Sequence, residues 1–454
     1  MTSGGSNALS GDARARALSA ARAAQKKSTK KGGPLVDHKP NPPFDQLSGF
    51  KERLALRQIS KLHDLGDPSF RQHEGHPRAM SRIDGRDVIN FGSYDYIGLN
   101  ADPRPAEAAK EAIDLYGVSA SASRLTAGER PIHRELEKRL AAHYEVEDAL
   151  TFVSGHATNV SAVATLVGKD DLVIYDSYIH NSASVGATLS GATRRSFPHN
   201  DTDALETILV ETAGRYRYTL LVVEGHYSMD GDIPDLPRIL ELKQRFGFWL
   251  MVDEAHGLGC IGKTGGGMRE YYDFPGDLVD VWMGTLSKSL GSTGGYLAGS
   301  AAMIDMMKYE APGSVYSVAL APALAAAGNT ALQIMHAEPE RVARLHARGA
   351  YFLDVARSLG LDTGASVGSS VTPIMVGSSP LAAAASKELL EAGINALPIA
   401  FPGVPMNQAR IRYFITSEHT EDQIRHTLTT TAEILARLRE GPLQDLMKSL
   451  SNTI

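Results

Sequence analysis

The sequence predicts an α/β protein with a large domain, built on a mostly parallel sheet covered by helices on both faces, and a smaller α+β C-terminal domain. Between residues 150 and 300, short apolar runs alternate with helical segments. The runs DLVIYD, YTLLVVEG, FWLMVDEA and DVWMGTLS are apolar on consecutive positions, which is typical of parallel strands buried on both faces. After about residue 330, the helical segment RVARLHARGAYFLDVARSLG is mixed with the strand-like runs VTPIMVG and ARIRYFI.

Taken in order, the elements divide the chain into four parts. Residues 1–48 are predicted to form a basic, disordered tail, because the first 33 residues carry seven Lys and Arg side chains and only one acidic residue. Residues 49–100 hold a helix, FKERLALRQISKLHDLG, which is expected to end at Gly66, and a hairpin, AMSRIDGRDVINF, with an Asp-Gly turn. Residues 101–330 form the large domain, and residues 331–454 form the small one. The apolar residues of the first helix lie roughly on one face, and they are Phe50, Leu54, Leu56, Ile59 and Leu62.

Composition excludes several classes of protein. With 46 basic and 52 acidic side chains, the net charge is −6, so nothing overall indicates nucleic-acid binding. The single cysteine, Cys260, excludes an internal disulfide framework and fits a reducing compartment. No apolar run approaches the roughly 20 residues that span a bilayer. We therefore expect a cytoplasmic protein, with peripheral membrane contact through the basic tail as the alternative.

Three polar side chains follow strand-like runs, and the carboxyl ends of parallel strands are where ligands gather. They are His180, Asp253 and Lys288. In addition, Gly155 and His156 open a predicted helix whose free N–H groups can hold a phosphate. These parts meet the needs of pyridoxal phosphate, which requires a lysine, an acid for its pyridine nitrogen, a flat group against its ring and an anion cradle. No metal-ligand set is predicted.

The chain resembles the α-oxoamine synthases, fold-type I pyridoxal-phosphate enzymes, over about residues 70–430. The resemblance is carried, in this order along the chain, by INFGSYDYIGL, SASRLTAGERPIHRELEKRLA, FVSGHATN, HNSASVGATLSGATRRSFPHND, VVEGHYSMDGDIPDL, VDEAHGLGCIG, GTLSKSLGSTGG and PGVPMNQARIRYFITSEHT.

The resemblance implies a role for each matching residue. Lys288 would form the Schiff base, Asp253 would pair with the pyridinium nitrogen, and His180 would stack on the ring and contact the substrate carboxylate. Arg412 would hold the carboxylate of the amino acid. The remaining cofactor contacts would come from His256 and Ser228 near the phenolic oxygen, and from Gly155, His156, Thr285 and Ser287 at the phosphate.

Ser317 matches the hydroxyl that reaches the phosphate of a neighbouring subunit, so the resemblance also implies a homodimer with shared active sites. Two positions carry a residue that departs from the family pattern, and a third departure is the segment IAFPGVP, where some members place an additional carboxylate-binding arginine. Gly266 stands where members usually carry an arginine, and Asp95 stands where serine palmitoyltransferases tend to have asparagine. No second arginine is evident in IAFPGVP.

Within the family, the Ser-Lys-Ser core of GTLSKS favours a serine palmitoyltransferase-like enzyme of sphingolipid synthesis that uses serine and a long-chain acyl-CoA. The alternative is an oxoamine synthase that takes glycine or alanine with another acyl-CoA or acyl-carrier-protein thioester. More distant alternatives are a fold-type I aminotransferase or lyase, and a non-catalytic partner subunit.

Overall fold

The computed structural model describes residues 19–20, 23, 41–62, 65, 67–401, 403–405 and 407–440. The chain divides into two compact units, Met1–Leu62 and His63–Ile454. The first unit contains helix α1 (Ser48–Leu62). Phe50, Leu54, Leu56 and Leu62 are exposed on this helix. The described helix runs to Leu62, and Gly66, the predicted end, lies outside the described residues.

The second unit contains all the strands found among the described residues. In chain order they are β1 (His73–Glu74), β2 (Met80–Ile83), β3 (Arg86–Asn90), β4 (Asp148–Phe152), β5 (Leu172–Asp176), β6 (Thr193–Phe197), β7 (Thr219–Glu224), β8 (Trp249–Asp253), β9 (Val281–Thr285), β10 (Gly295–Gly299), β11 (Val371–Gly377), β12 (Ile394–Asn395), β13 (Leu397–Ile399) and β14 (Ala409–Phe414).

Its helices begin mostly at residues that cap them. Ser154, Asp201, Asp235 and Ser300 each accept a hydrogen bond from a backbone N–H in the first turn, which satisfies a donor that the helix leaves free. The helices are α2 (Pro103–Tyr116), α3 (Pro131–Tyr144), α4 (Gly155–Leu166), α5 (Asn181–Leu189), α6 (Thr202–Thr212), α7 (Leu236–Phe246), α8 (Gly267–Tyr272), α9 (Ala301–Glu310), α10 (Pro312–Val315), α11 (Pro322–Ala337), α12 (Glu340–Ser358), α13 (Ser379–Glu391) and α14 (Glu421–Glu440).

The largest sheet has seven strands in the order β4-β10-β9-β8-β7-β5-β6. Strand β10 is antiparallel to both of its neighbours, and the strands from β9 to β6 are all parallel. The four apolar runs identified in the sequence are β5, β7, β8 and β9, which lie side by side. The prediction of a mostly parallel sheet is confirmed.

Alternate residues of these strands pack into different apolar clusters. Leu220 and Val222 of β7 belong to one cluster, whereas Leu221 and Val223 belong to the other. Because neighbouring side chains of a strand point to opposite faces, both faces of the sheet are covered. This is the reason why the strands are apolar at consecutive positions rather than at every second one.

Two smaller sheets complete the second unit. In the four-stranded sheet β1-β2-β3-β12, the turn between β2 and β3 has positive φ at Asp84 (49°) and Gly85 (72°), as the predicted Asp-Gly hairpin requires. The three-stranded sheet β11-β14-β13 is antiparallel. Strand β12 pairs with β3, so the hairpin segment and the C-terminal region share a sheet. The domain boundaries at residues 100 and 330 stay predictions. Among the described residues, no helix is long and apolar enough to cross a bilayer.

Candidate active site

The predicted catalytic side chains follow neighbouring parallel strands. Asp253 is the last residue of β8, Lys288 lies three residues after β9, and His180 lies four residues after β5. Parallel strands bring their carboxyl ends to one edge of the sheet, and ligands of such sheets bind there. The structure therefore places the three side chains at the same edge.

Asp253 is buried, and its carboxylate is held on both oxygens. Oδ2 accepts a hydrogen bond of 2.7 Å from Asn159 Nδ2, and Oδ1 accepts one of 2.9 Å from the N–H of Ala255. Glu224 is its register partner on β7 and is also buried. Burial, and next the charge of Asp253, raise the pKa of Glu224 to about 8. The edge thus places the doubly hydrogen-bonded carboxylate of Asp253 beside a second carboxyl, that of Glu224, whose pKa is raised.

Lys288 is partly exposed and lies beside Tyr94, with 5.8 Å between its Nζ and the centre of the ring. Desolvation lowers the pKa of its ammonium to about 8, although the carboxylates of Asp253 and Glu224 oppose that effect. At pH 7 a lysine with such a pKa is neutral in about a tenth of molecules, far more than a lysine of ordinary pKa. It can therefore act as a nucleophile or a base.

His180 is exposed to solvent, and it caps the start of α5. Its Nδ1 lies 2.7 Å from Ser182 Oγ and accepts the N–H of Ser182 at 3.3 Å. Desolvation lowers the pKa of His180, and Asp253 partly offsets this. The side chain is therefore a mainly neutral ring that is open to solvent, which suits stacking on a flat ligand.

The predicted phosphate cradle comes together at the start of α4. A Cβ added to Gly155 would lie 3.2 Å from Thr285 Oγ1, so the helix terminus directly faces Thr285. His156 is the second residue of the helix. Thr285 Oγ1 donates to Gly294 O at 2.8 Å and lies 3.1 Å from the exposed Ser287 Oγ. Ser287 Oγ also donates to Gly294 O, at 3.4 Å, but its side chain is exposed, so it is the more accessible of the two hydroxyls for a phosphate.

Two further predicted site residues, His256 and Arg412, come from different parts of the chain. His256 is buried, and its Nδ1 lies 2.8 Å from the hydroxyl of Tyr96. Arg412, on β14, donates from Nη1 to the carbonyl of Ser228 at 2.9 Å, and its guanidinium lies 4.5 Å from the ring centre of Phe414. Within the described residues Arg412 Nε has no hydrogen-bond partner. Ser228 and Arg412, predicted separately, are therefore in contact.

Ser317, unlike the site residues described above, makes no described hydrogen bond within the site. Its hydroxyl donates to the carbonyl of its neighbour Val318 at 3.2 Å, and the preceding Tyr316 is 86% exposed. None of the hydrogen bonds between described residues joins Ser317 to the residues around Lys288. Its predicted contact with a second subunit stays a prediction.

The structure adds residues that the sequence analysis missed, namely Asn159, Ser182, Tyr94, Tyr96 and Glu224. Each lies inside a motif that the analysis quoted, so the motifs contained a signal. What the sequence lacked was the direction of each side chain, since no spacing rule distinguishes a bonded Asn in a helix from an exposed one.

The two residues that depart from the family pattern have local explanations. The N–H of Gly266 donates to Glu270 Oε2 at 2.8 Å, and a Cβ at residue 266 would lie 2.8 Å from the Cβ of Glu270. Glu270 therefore occupies the space beside this glycine. Asp95 is buried and accepts the N–H groups of Leu99 and Asn100, so it holds its own loop.

A cavity of about 750 Å³ between α3, α11 and the segment 264–270 is lined by Gly266 and Glu270, among other residues. Several of its charged groups already have partners: Arg139 bonds Asn329, Arg269 pairs with Glu145, and Glu270 accepts from residue 264. It contains none of the predicted site residues.

The residues at the sheet edge fit pyridoxal phosphate. Gly155 leaves a space that a Cβ would fill, at a helix terminus suited to an anion. Glu224 Oε1 and Arg412 Nε are buried polar atoms that lack partners among the described residues. Asp253 offers a buried carboxylate, and Lys288 an amine of lowered pKa. The described residues contain no group of three or more side chains suited to hold a metal ion.

Comparison with known proteins identifies relatives along most of the chain. Residues 86–430 match the family model "Aminotransferase class I and II". The chain is 39% identical over 390 residues to the 8-amino-7-oxononanoate synthase of Symbiobacterium thermophilum, which covers 86% of this chain and 96% of that protein. A putative 8-amino-7-oxononanoate synthase of Gloeobacter violaceus is 40% identical over 380 residues, which covers 84% and 97%.

Among solved structures, Sphingomonas wittichii serine palmitoyltransferase matches with a TM-score of 0.83 and 28% identity, covering 88% of this chain and all of that one. The 8-amino-7-oxononanoate synthase of Francisella tularensis matches with a TM-score of 0.68 and 24% identity, covering 77% and 98%, and this likeness supports the fold alone.

Proposed function

Since this chain belongs to the aminotransferase class I and II family and, within it, to the α-oxoamine synthases, we propose that it condenses alanine with a heptanedioyl thioester. It is an acyltransferase that depends on pyridoxal phosphate. The product would be 8-amino-7-oxononanoate, with release of carbon dioxide and a free thiol.

The observation that carries the choice of substrates is the identity of 39–40% with synthases of that one product over more than four fifths of the chain. The structure of the product gives its two precursors. The methyl carbon and the carbon that bears the amino group derive from alanine after loss of its carboxylate. The other seven carbons, which end in a carboxylate, derive from the acyl group.

Residues of this chain supply the proton transfers and the binding. Arg412 binds the carboxylate of the amino acid, and Lys288, whose pKa is lowered to about 8 by burial, accepts the proton from its α-carbon. Asp253 would pair with the pyridine nitrogen of the cofactor and keep it protonated. When bound, pyridoxal phosphate supplies an electron-withdrawing ring that stabilises negative charge on the α-carbon. The α-carbon then bonds to the acyl carbon, and the thiolate leaves and takes up a proton from solvent. The carboxylate departs as carbon dioxide, and the electron pair left on the α-carbon accepts a proton, for which Lys288 is the donor.

Serine with a long-chain acyl-CoA is the second candidate. It is supported by the Ser287–Lys288–Ser289 core and by the TM-score of 0.83 with a serine palmitoyltransferase. The identity to that enzyme is 28%, compared with 39% to the oxononanoate synthase. For this reason alanine takes precedence over serine, which the sequence alone favoured.

The assembly that we propose is a homodimer. Tyr316 and Val318, on either side of Ser317, are 86% and 49% exposed, so this segment is open to a second subunit. If Ser317 reaches the phosphate of the neighbouring site, each active site contains residues of both chains.

A matrix of substrates tests the proposed function. Alanine, glycine and serine are each combined with heptanedioyl-CoA, heptanoyl-CoA and palmitoyl-CoA, and the release of free thiol is followed. We expect alanine with heptanedioyl-CoA to give the highest kcat/KM, at least about tenfold above the other pairs. Heptanoyl-CoA isolates the effect of the terminal carboxylate, and a Lys288→Ala variant gives the background hydrolysis.

Preference for serine with palmitoyl-CoA would replace alanine by the second candidate. If no pair releases thiol above the Lys288→Ala background, the same matrix is repeated with heptanedioyl-acyl carrier protein. Failure there as well would refute acyl transfer by this chain.

A further inference from the structure

A continuous chain of hydrogen bonds joins Asp253 to His180. Asn159, in α4, donates from Nδ2 to Asp253 Oδ2 at 2.7 Å and to Ser182 Oγ at 2.9 Å. Ser182 Oγ lies 2.7 Å from His180 Nδ1. Asn159 and Ser182 are both buried, with 2% and 0% of their surface exposed. The hydrogen bonds of Asn159 to Asp253 and to Ser182 are therefore shielded from water.

The hydrogens in this chain can be assigned from groups that only donate. The backbone N–H of Ser182 donates to His180 Nδ1 at 3.3 Å, so that nitrogen carries a lone pair. The two hydrogens of Asn159 Nδ2 point to the carboxylate and to Ser182 Oγ. A flipped amide would instead place its oxygen 2.7 Å from the oxygen of an anionic Asp253, which is repulsive. The hydroxyl of Ser182 has then accepted one hydrogen and is free to donate its own to Nδ1.

We propose that Asn159 and Ser182 are positioning residues that fix His180 as the tautomer with its hydrogen on Nε2, and orient that N–H toward the substrate. The inference rests on the proposed active site, but not on the choice of amino acid or acyl group. The hydroxyl and the N–H of Ser182 both occupy Nδ1, so the remaining proton of the neutral ring is on Nε2.

Orientation by this chain has a chemical purpose. A neutral His180 offers one hydrogen-bond donor and a flat face without adding positive charge next to the pyridine ring that Asp253 would keep protonated. The charged groups that act on His180 are Asp253, Lys288 and Arg412, with His156 also near. A donor fixed at Nε2 can bind a carboxylate or carbonyl oxygen of the substrate in one geometry.

Nitrogen NMR of the ¹⁵N-histidine-labelled protein tests the tautomer directly. The spectrum is recorded on the holoenzyme and on the enzyme freed of cofactor, and His180→Gln assigns the signals. We expect Nε2 of His180 to carry the hydrogen in both forms. In Ser182→Ala, the population with hydrogen on Nδ1 should rise about fivefold, because the variant loses the hydroxyl donor. The kcat/KM for the amino acid should fall about fivefold or more, with little change in the KM of the acyl thioester.

Ser184→Ala is the matched control, because it removes a hydroxyl from the same helix outside this chain of bonds. It should change neither the spectrum nor the kinetics. Asn159→Ala should reproduce the tautomer change, since Ser182 then loses the donor that orients it. A wild-type His180 with its hydrogen on Nδ1, or a Ser182→Ala variant with unchanged spectrum and kinetics, would overturn the proposal. Failure to use alanine would contradict the proposed function and leave the NMR result intact.

Discussion

His199 lies between two carboxylates, and changing it to glutamine should make the protein less stable in a way that depends on pH. Its Nδ1 is 2.9 Å from Asp176 Oδ1, and its Nε2 is 2.9 Å from Asp232 Oδ2. The ring stacks on Tyr178 with 4.3 Å between centres. Asp176 ends β5 just before the loop to His180, and Asp232 lies in the loop that carries Ser228. His199 therefore joins two loops of the candidate active site.

The magnitude follows from the pKa. Desolvation disfavours the charged imidazolium, but the hydrogen bonds to Asp176 and Asp232 outweigh it and raise the pKa from 6.5 to about 9. Each pKa unit corresponds to about 1.4 kcal/mol, which gives about 3 kcal/mol. Because 17% of the side chain is exposed and solvent screens the pair, we expect about 2 kcal/mol. The folded-state pKa is raised, so this contribution is full below about pH 6.5 and is lost as the pH rises through about 9.

Urea unfolding of the wild type and of His199→Gln, at several pH values from 6 to 10.5, measures this contribution. The wild type should be about 2 kcal/mol more stable at pH 7, and the difference should shrink to a few tenths above pH 10. Other groups that titrate in this range, such as Lys288 and Glu224, are present in both proteins, so their contributions cancel in the difference. His426→Gln, an exposed position on α14, is the control and should not alter the curve. A stability difference that stays constant from pH 7 to 10.5 would refute the inference that a charged His199 holds the two carboxylates together.

Four further outcomes are expected. Asp253→Asn should lower kcat about 100-fold or more, because the isosteric amide cannot balance a protonated pyridine nitrogen, and a rate near that of the wild type would contradict its role. Arg412→Ala and Arg412→Lys should both raise the KM for the amino acid strongly, since lysine lacks the planar fork, while the KM for the acyl thioester should change little. Borohydride reduction followed by peptide mapping should place the cofactor on Lys288, and a label on Lys263 would be inconsistent with this site. Mixing the inactive Lys288→Ala variant with the Ser317→Ala variant should restore activity, because one site of the mixed dimer takes an intact Lys288 from one subunit and an intact Ser317 from the other. Light scattering should show a dimer, and an active monomer would exclude the shared site.

The sequence by itself determined the large sheet and the residue types at its edge. Apolar runs with no alternation can be buried only on both faces, so the four runs YTLLVVEG, FWLMVDEA, DLVIYD and DVWMGTLS specified adjacent parallel strands. Their polar endings placed Asp253 and Lys288 at one edge, since parallel strands end together. The Asp84-Gly85 turn was equally local, because it depends only on backbone conformations that these two residues tolerate.

Tertiary structure alone decided which side chains act on one another. The contact of Asn159 with Asp253 joins residues 94 positions apart, and that of Arg412 with Ser228 joins residues 184 apart. The lowered pKa of Lys288 and the raised pKa of Glu224 depend first on burial, and burial depends on how the whole chain packs. Local sequence specifies conformation through short-range sterics and hydrogen bonds. The protonation states that chemistry requires arise from desolvation and from charges brought close by the fold.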